Sequence, residues 1–414
     1  MPAYRKLMFL CAGLLSLSGP VLAADTYDLE ALLRLTREHN RSLVAGRQAV
    51  AAVEAGIETA SAFPNPELEY TTGSVRARVP GPLEGTARGV WISQRIEYPS
   101  QREARIGAAR AATDAAGAEL QGFQGGVLAE VKRRFYELLR RQAELATARE
   151  DQMLMEQIRS RVDLKVGTGE AARYELIKAD AEALNAQKAA QSAALRVSQA
   201  KAALRQAVGA QLAHDFEVKG QLERPIVVPP LDTLRTEVVD RNPELQRLRA
   251  MKAQAERQLD YERSQRLPSL TLKGGRDEDP EIRAGKVGVV VSIPIFDRRR
   301  GPIDAASAQL ARTRHELEGR EFALQQEVEG AYRQYEMAAT QVTALETGIV
   351  RQAGEALRIA EAAYRYGERG ILDYLDAQRV YRSVRNELIA ARYDLQVAAI
   401  EIERLRALQE TQLP

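Results

Sequence analysis

Residues 63–72 read FPNPELEYTT, and residues 267–273 read LPSLTLK. In each stretch a proline ends a helical pattern, because proline has no backbone N–H to donate and disfavours helix in the residue before it. Apolar residues then alternate with polar ones, which is the pattern of a strand with one polar face. Each stretch therefore predicts a change from helix to strand, at two separate places in the chain.

The two stretches belong to an internal repeat. At an offset of 202 positions, six residues of the first half recur in the same order in the second half. They are Leu29, Asn40, Leu43, Arg47, Pro66 and Leu68, which match Leu231, Asn242, Leu245, Arg249, Pro268 and Leu270. Further along, Gly167 matches Gly367. We predict two repeats, residues 24–220 and 221–414, each with a helix, two strands, a long helix, a turn and a helix.

A second strand pattern follows a loop in each repeat. Its apolar residues are Val90, Ile92, Ile96 and Tyr98 in the first repeat, and Val289, Val291, Ile293 and Ile295 in the second. Strands of about ten residues, tilted near 45°, cross a hydrocarbon layer. The sequence therefore predicts one membrane β-hairpin per repeat, and the polar face of the first hairpin carries Glu67, Glu69, Arg95 and Glu97.

Two long segments, residues 101–164 and 303–366, contain no proline. At 1.5 Å per residue, each predicts a helical rod about 95 Å long, far longer than the helices of ordinary globular domains. The second rod has a heptad seam, as in a coiled coil. The seam consists of Val342, Leu345, Ile349, Ala356, Ile359 and Ala363, with Gln352 at the one polar position. The fold class is therefore mostly α with one membrane β-hairpin in each repeat.

Composition and charge argue against several classes of function. The 59 basic and 57 acidic residues leave a net charge of +2, which gives no electrostatic basis for binding nucleic acid. Aromatic residues make up 5% of the chain, fewer than a compact enzyme of this size usually carries. His39, His214 and His315 are scattered without metal-ligand spacing, and no phosphate-binding glycine motif is present. We therefore expect no catalytic residues, no metal site and no cofactor.

The amino terminus has the pattern of a secretory signal. Arg5 and Lys6 precede an apolar run over residues 7–17, and residues 21–23 read VLA, a typical cleavage site. We expect residues 1–23 to be a signal peptide. The single cysteine, Cys11, lies within it, and Leu10 occupies the place where a lipoprotein signal needs a small residue. Neither disulfides nor acylation are expected.

Four amphipathic strands cannot close a membrane barrel, because unpaired strand edges are not tolerated in lipid and the smallest closed barrels have about eight strands. The chain is therefore expected to oligomerise. Three copies would give a barrel of 12 strands, continued by a barrel of 12 helical columns. This predicts a homotrimer.

The repeated order of elements resembles the TolC family of outer-membrane efflux proteins, over essentially the whole chain after residue 23. The most similar segment is residues 364–377, YRYGERGILDYLDA, which has the family's tyrosine, glycine and Asp-x-x-Asp-Ala pattern after the second rod. Residues 166–169, VGTG, are a weaker counterpart in the first repeat. The strand end at residues 292–296, SIPIF, resembles the branch that exports cobalt, zinc and cadmium.

This resemblance implies an outer-membrane channel of a tripartite efflux system, a passive export duct in a Gram-negative bacterium with a long periplasmic extension. It would contact outer-membrane lipid, a periplasmic adaptor and an inner-membrane pump, with heavy-metal cations as the cargo of that branch. The two helical tips would contact the adaptor. Their residues are Val166, Gly167, Thr168 and Gly169 in the first repeat, and Tyr366, Gly367 and Glu368 in the second.

Asp373 and Asp376 are three residues apart and share one face of a helix. A charge pair of this kind is ordinarily a solvated helix face. The resemblance favours a pore selectivity ring instead, since a trimer would place six carboxylates around the narrowest point and so favour cations. Tyr364 and Arg369 fall where relatives hold the periplasmic gate closed. Arg173 stands where those relatives commonly have an acidic partner.

A periplasmic coiled-coil adaptor or scaffold remains the alternative, because such proteins also have long helical hairpins. Adaptors place compact domains on both sides of a single hairpin, whereas this sequence repeats one plan twice. The mass of the particle extracted from membranes separates the two: a trimer favours the duct, and a water-soluble monomer favours the adaptor.

Overall fold

The computed structural model describes residues 26–76, 84–223 and 227–407. The predicted signal peptide, residues 1–23, lies outside the described residues. The first repeat consists of β1 (Thr26–Tyr27), α1 (Leu29–His39), α2 (Arg41–Ser61), β2 (Glu67–Val75), β3 (Gly85–Ile96), α3 (Pro99–Gly167), α4 (Arg173–Val208) and β4 (Glu217–Val218). The mostly helical fold class with a β-hairpin in each repeat is confirmed.

The second repeat follows the same plan. It consists of α5 (Leu231–Arg241), α6 (Pro243–Ser264), β5 (Ser269–Glu278), β6 (Arg283–Ser292), α7 (Arg300–Ala344), a π-helical turn (Leu345–Ile349), α8 (Val350–Arg365) and α9 (Ile371–Arg406). No described helix is both long enough and apolar enough to cross a lipid bilayer.

One opening helix was predicted in each repeat, but the structure has two, because an asparagine breaks each helix. Asn40 has extended backbone, and its Oδ1 accepts hydrogen bonds from the N–H groups of the next helix at Ser42 (3.0 Å) and Leu43 (3.2 Å). Its Nδ2 donates to the carbonyl of Val208 at 3.0 Å. Asn242 caps α6 in the same way and donates to Leu405 at 3.0 Å. Each asparagine therefore joins two opening helices to the end of the last helix of a repeat.

The four long strands form one antiparallel sheet in the order β2-β3-β5-β6. The strands end slightly earlier than predicted. Tyr98 precedes α3, whose first residue is a proline, and Ile293 and Ile295 flank Pro294, which has no donor for a ladder. Glu97 was predicted on the polar strand face, but it lies beyond β3 and accepts a hydrogen bond from Arg105 Nη2 at 2.9 Å.

The sheet has two different faces. Residues that lie directly opposite each other on neighbouring strands share a face of the sheet. One such row across the four strands consists of Leu68, Ile92, Gly274 and Val287, and it lies on the apolar face. That face consists mainly of exposed Leu68, Tyr70, Val90, Ile92, Ile96, Leu272, Val287, Val289 and Val291. The polar face carries ion pairs, Lys273 with Glu69 at 2.8 Å and Lys286 with Asp277 at 3.0 Å. Strands β2 and β6 are the two edges of the sheet.

The two rods differ. Helix α3 is continuous over 69 residues, as predicted, whereas the second rod is interrupted by the π-helical turn. Val342 and Leu345 of the predicted seam are buried, but Ile349 and Ile359 are 47% and 64% exposed. Beyond the turn, the residues that face inward are Ala353, Leu357, Ala360 and Tyr364. Each follows a predicted position by one, because a π-helical turn holds one extra residue and rotates the next helix. The later part of the predicted seam is therefore wrong by one residue.

Candidate functional site

Two helical hairpins, α3–α4 and α8–α9, end in turns of the same geometry. Gly169 and Gly367 have φ angles of 81° and 77°. The N–H of the following glutamate donates back to the helix, from Glu170 to Lys165 at 2.8 Å and from Glu368 to Ala363 at 2.9 Å. Both turns are Schellman motifs, in which the residue with positive φ is normally glycine.

This geometry corrects the match between the repeats. Gly169, not Gly167, is the structural equivalent of Gly367, and Gly167 is the last residue of α3. The predicted match between Gly167 and Gly367 is therefore wrong by two residues. It follows that the equivalent of Asp373 in the first repeat is Glu175, in the first turn of α4, rather than Arg173. Glu175 is an acidic residue two positions after Arg173, and its role at the tip stays a prediction.

The predicted adaptor-contact residues lie in or beside these two turns. Gly167, Thr168, Gly169, Tyr366, Gly367 and Glu368 are exposed, and Val166 is half-buried. Behind them, apolar residues from all four helices pack into one cluster, the tip cluster. Its buried members are Met155, Ile158, Val162, Ala179, Ala186, Tyr364, Ile371, Tyr374 and Leu375. The cluster holds the two turns side by side.

Of the two predicted gate residues, Tyr364 lies in the tip cluster. Its ring stacks on Tyr374, with centroids 5.9 Å apart, and the ammonium of Lys165 lies 4.7 Å from its centroid. Burial raises the pKa of the Tyr364 hydroxyl, and the negative charge of Glu175 raises it further. Within the described part of the chain, this buried hydroxyl has no hydrogen-bond partner. Arg369 is exposed and contacts Asp373 of the next helix at 3.4 Å. Within one chain, therefore, the described contacts of Tyr364 and of Arg369 do not link these two residues to each other.

The predicted selectivity residues, Asp373 and Asp376, begin α9 just beyond the turn. Their side chains are 54% and 73% exposed, so their charges face solvent. Their cationic neighbours are Arg369 at 3.4 Å and Arg379 at 3.7 Å. A carboxylate in the first turn also interacts favourably with the helix N-terminus. The role of both aspartates in a ring stays a prediction.

A buried polar network that we did not predict joins the two hairpins. Asp151 of α3, 4% exposed, accepts from Gln378 Nε2 at 3.1 Å and from Arg382 Nη1 at 2.8 Å, both on α9. We call these three residues the α9 clamp. Two more exposed pairs lie beside it, Arg379 with Glu182 at 3.0 Å and Arg385 with Glu150 at 2.8 Å.

Arg379, Arg382 and Arg385 of α9 are spaced three residues apart, and this spacing in the sequence could have indicated a basic face of the helix. Their partners, however, lie about 200 residues earlier, and only the fold brings them together. Among the residues that the structure describes, no group of three or more His, Cys, Asp or Glu side chains is placed to hold a metal ion.

Substituting alanine for Gly169 or Gly367 is expected to loosen the tip. Positive φ costs a residue with a Cβ about 1–2 kcal/mol, although no other atom would obstruct the methyl group. Hydrogen exchange of the amides of Glu170 and Glu368 measures the effect, which should be faster exchange at the altered turn. Gly167→Ala is the matched control, because it adds the same methyl group within a helix. Equal effects from Gly167→Ala and Gly169→Ala would show that the strained turn is not the cause.

Comparisons with known proteins agree with this architecture. The profile of the family described as outer membrane efflux protein matches residues 32–210 and 234–407. The cobalt-zinc-cadmium resistance protein CzcC of Cupriavidus metallidurans is 26% identical over 388 residues, which cover 93% of this chain and 91% of CzcC.

Solved structures share the fold. A membrane protein from Pseudomonas aeruginosa superimposes with a TM-score of 0.79 at 20% identity, covering 91% of this chain and 92% of that protein. CusC, whose crystal structures concern transmembrane channel formation, superimposes with a TM-score of 0.78 at 17% identity, and 91% of each chain is covered. Since the family profile matches both repeats, the chain belongs to the outer membrane efflux protein family.

Proposed function

We propose that three copies of this chain form the outer-membrane channel of a tripartite efflux system. The observation that carries the proposal is a sheet with one apolar face, one charged face and two open edges, mounted on helical rods. A lone sheet of this kind would expose unpaired backbone groups to lipid, at a cost of several kcal/mol for each group. Pairing β6 of one copy with β2 of the next removes both edges.

In a trimer the sheets would form a barrel of 12 strands. Its apolar face would meet lipid and its charged face, with Glu69, Lys273, Asp277 and Lys286, would line a wet lumen. The rods would continue this wall into the periplasm. Helix α3 alone, at 1.5 Å per residue, is about 100 Å long.

The tips at Gly169 and Gly367 would meet a periplasmic adaptor, which in turn binds an inner-membrane pump. The glycines support this role because they leave exposed backbone at the end of each hairpin. The chain would act as a passive duct rather than as an enzyme, and the energy for export would come from the pump.

We also propose heavy-metal cations as the cargo. The support is the similarity to CzcC, a cobalt-zinc-cadmium resistance protein, together with the exposed Asp373 and Asp376, whose charges suit the passage of cations. In this proposal the pump selects the metal, and the duct contributes a filter of size and charge.

Cysteine cross-linking tests the shared barrel. We expect a variant with Thr71→Cys on β2 and Gly288→Cys or Val290→Cys on β6 to form disulfides between copies, with dimer and trimer bands under oxidising conditions. Within one chain the two edges are three strand spacings apart, about 14 Å. That separation is too large for an internal disulfide, which needs Cα atoms within about 7 Å.

The single variants with Thr71→Cys or Val290→Cys alone serve as controls and should give no trimer band. The mass of the detergent-extracted particle should equal three protomers. A water-soluble monomer without cross-links would refute the shared barrel and favour the periplasmic adaptor or scaffold.

A further inference from the structure

Basic side chains gather at one end of the apolar face of the sheet. The register places Arg88 opposite Glu278 and Glu278 opposite Arg283, in the last row before the β5–β6 turn. The preceding row holds Tyr70, Val90, Arg276 and Gly285. Arg88, Arg276 and Arg283 therefore share the apolar face, at the end farthest from the helical rods. We call these three residues the outer arginine cluster.

The positive charge of this cluster is only partly neutralised. Glu278, the acidic residue of the same rows, pairs with Arg283 at 2.8 Å. Arg88 and Arg276 are exposed, and nowhere in the described ranges does an acidic side chain form an ion pair with either of them. Asp277 lies on the opposite, polar face, where it pairs with Lys286.

Acidic residues of the adjoining β5–β6 turn do not complete the pairing either. Asp279 Oδ1 accepts from the backbone N–H groups of Glu281 (2.9 Å) and Ile282 (2.7 Å), so it stabilises the turn itself. Among the described residues, Arg88 and Arg276 are thus exposed and have no ion-pair partner.

The other end of the same face has a different character. Its last row toward the rods consists of Ile96, Leu270 and Val291, and Arg95 of the neighbouring row lies on the polar face. The apolar face is therefore basic at the turn end and apolar at the rod end. Tyr70, in the row of Arg276, marks the turn end as an interfacial level, where aromatic side chains are enriched.

An arginine on a surface that faces lipid is unfavourable unless its head reaches polar groups at the interface. The guanidinium fork matches phosphate oxygens in a bidentate geometry, which makes phosphate its best partner at that level. We propose that the outer arginine cluster binds the phosphate groups of anionic lipid headgroups in the outer leaflet. This inference rests on the proposed function, because it requires the apolar face to meet lipid.

Native mass spectrometry of the detergent-extracted protein tests the inference. The probes are lipid A carrying both of its phosphates and the same lipid after removal of both. We expect the wild-type particle to retain the phosphorylated lipid at least about tenfold more than the dephosphorylated one. The R88Q/R276Q variant should lose this preference while keeping the Arg283–Glu278 pair intact.

R95Q is the matched control, because it removes an arginine from the same sheet on the opposite face, and it should retain lipid A as the wild type does. Excess inorganic phosphate should not release the lipid. Equal retention by wild type and R88Q/R276Q, equal loss in R95Q, or release by free phosphate would each overturn the inference.

The same spectra separate this inference from the proposed function. The mass of the particle reports whether three copies assemble, independently of bound lipid. A trimer that shows no preference for phosphorylated lipid overturns the arginine assignment alone, whereas a monomer overturns the duct.

Discussion

Replacing Asp151 with leucine is expected to release the α8–α9 hairpin from α3 and to raise the conductance of the channel. Asp151 is buried and holds Gln378 and Arg382 through its two oxygens. Its loss leaves the Arg382 charge without a partner, which costs about 3–5 kcal/mol in a fully buried pair. Arg382 is 30% exposed, so we expect about 2–4 kcal/mol here.

Single-channel recordings in planar bilayers measure the conductance, and hydrogen exchange over residues 371–385 measures the loosening of α9. Glu150→Gln is the matched control. It removes the neighbouring but exposed pair with Arg385, for which a loss below about 1 kcal/mol is expected. The double variant D151L/R382L should recover most of the stability, because no buried charge is then left unpaired. If D151L behaves like Glu150→Gln, the clamp does not hold the hairpin.

Replacing both Asp373 and Asp376 with asparagine should abolish the preference of the channel for cations. In a trimer the pair contributes six exposed carboxylates at one level, and such rings attract cations and repel anions. Asparagine keeps the size of each side chain and removes its charge. The ratio of potassium to chloride permeability, from reversal potentials in a salt gradient, should fall several-fold toward unity.

The control for this experiment is E170Q/E368Q, which removes the same number of charges from the two turns next to the ring. Both glutamates are exposed. We expect their removal to change selectivity little, because their charges would lie outside the proposed ring and are screened by salt. An unchanged permeability ratio in D373N/D376N would leave Asp373 as a residue that stabilises the start of α9 and nothing more.

The strands and rods could be predicted because each depends on a local pattern, alternation of apolar and polar residues for a strand and a long segment without proline for a rod. Alternation around Leu68 and Tyr70 produced β2, and a proline-free segment produced the continuous α3. The break at Asn40 was missed although asparagine is a strong N-cap, because its side chain also needs the carbonyls at the end of α4, far along the chain.

The π-helical turn was not predicted for a different reason. The heptad positions of the second rod are regular in sequence, and Gln352 was their one exception. The extra residue at Leu345–Ile349 places Ala353 rather than Gln352 on the buried face, so the exception disappears in the structure. Gln352, a polar residue in an otherwise apolar heptad seam, was therefore the sign in the sequence that the heptad pattern shifts by one residue.

At the candidate site, the sequence predicted which residues lie at the tip but not their contacts. Gly169 and Gly367 differ from neighbouring glycines by their positive φ angles, which cannot be read from the amino-acid sequence alone. The α9 clamp depends on two side chains 231 residues apart, Asp151 and Arg382, so no local signal pairs them. The ring of Asp373 and Asp376, the gate and the repeat boundaries at residues 220 and 221 stay predictions.

The open edges of the sheet have a consequence for biogenesis. Strand β6 has exposed valines on both faces, Val287, Val289 and Val291 on one and Val290 on the other. An apolar edge strand of this type is prone to aggregate with any other free edge. The helical part, in contrast, has its own buried clusters and needs no neighbour to exclude water from them. We therefore expect the helices to fold first in each newly secreted chain. In the proposed trimer the strands would order last, when three chains meet at the membrane.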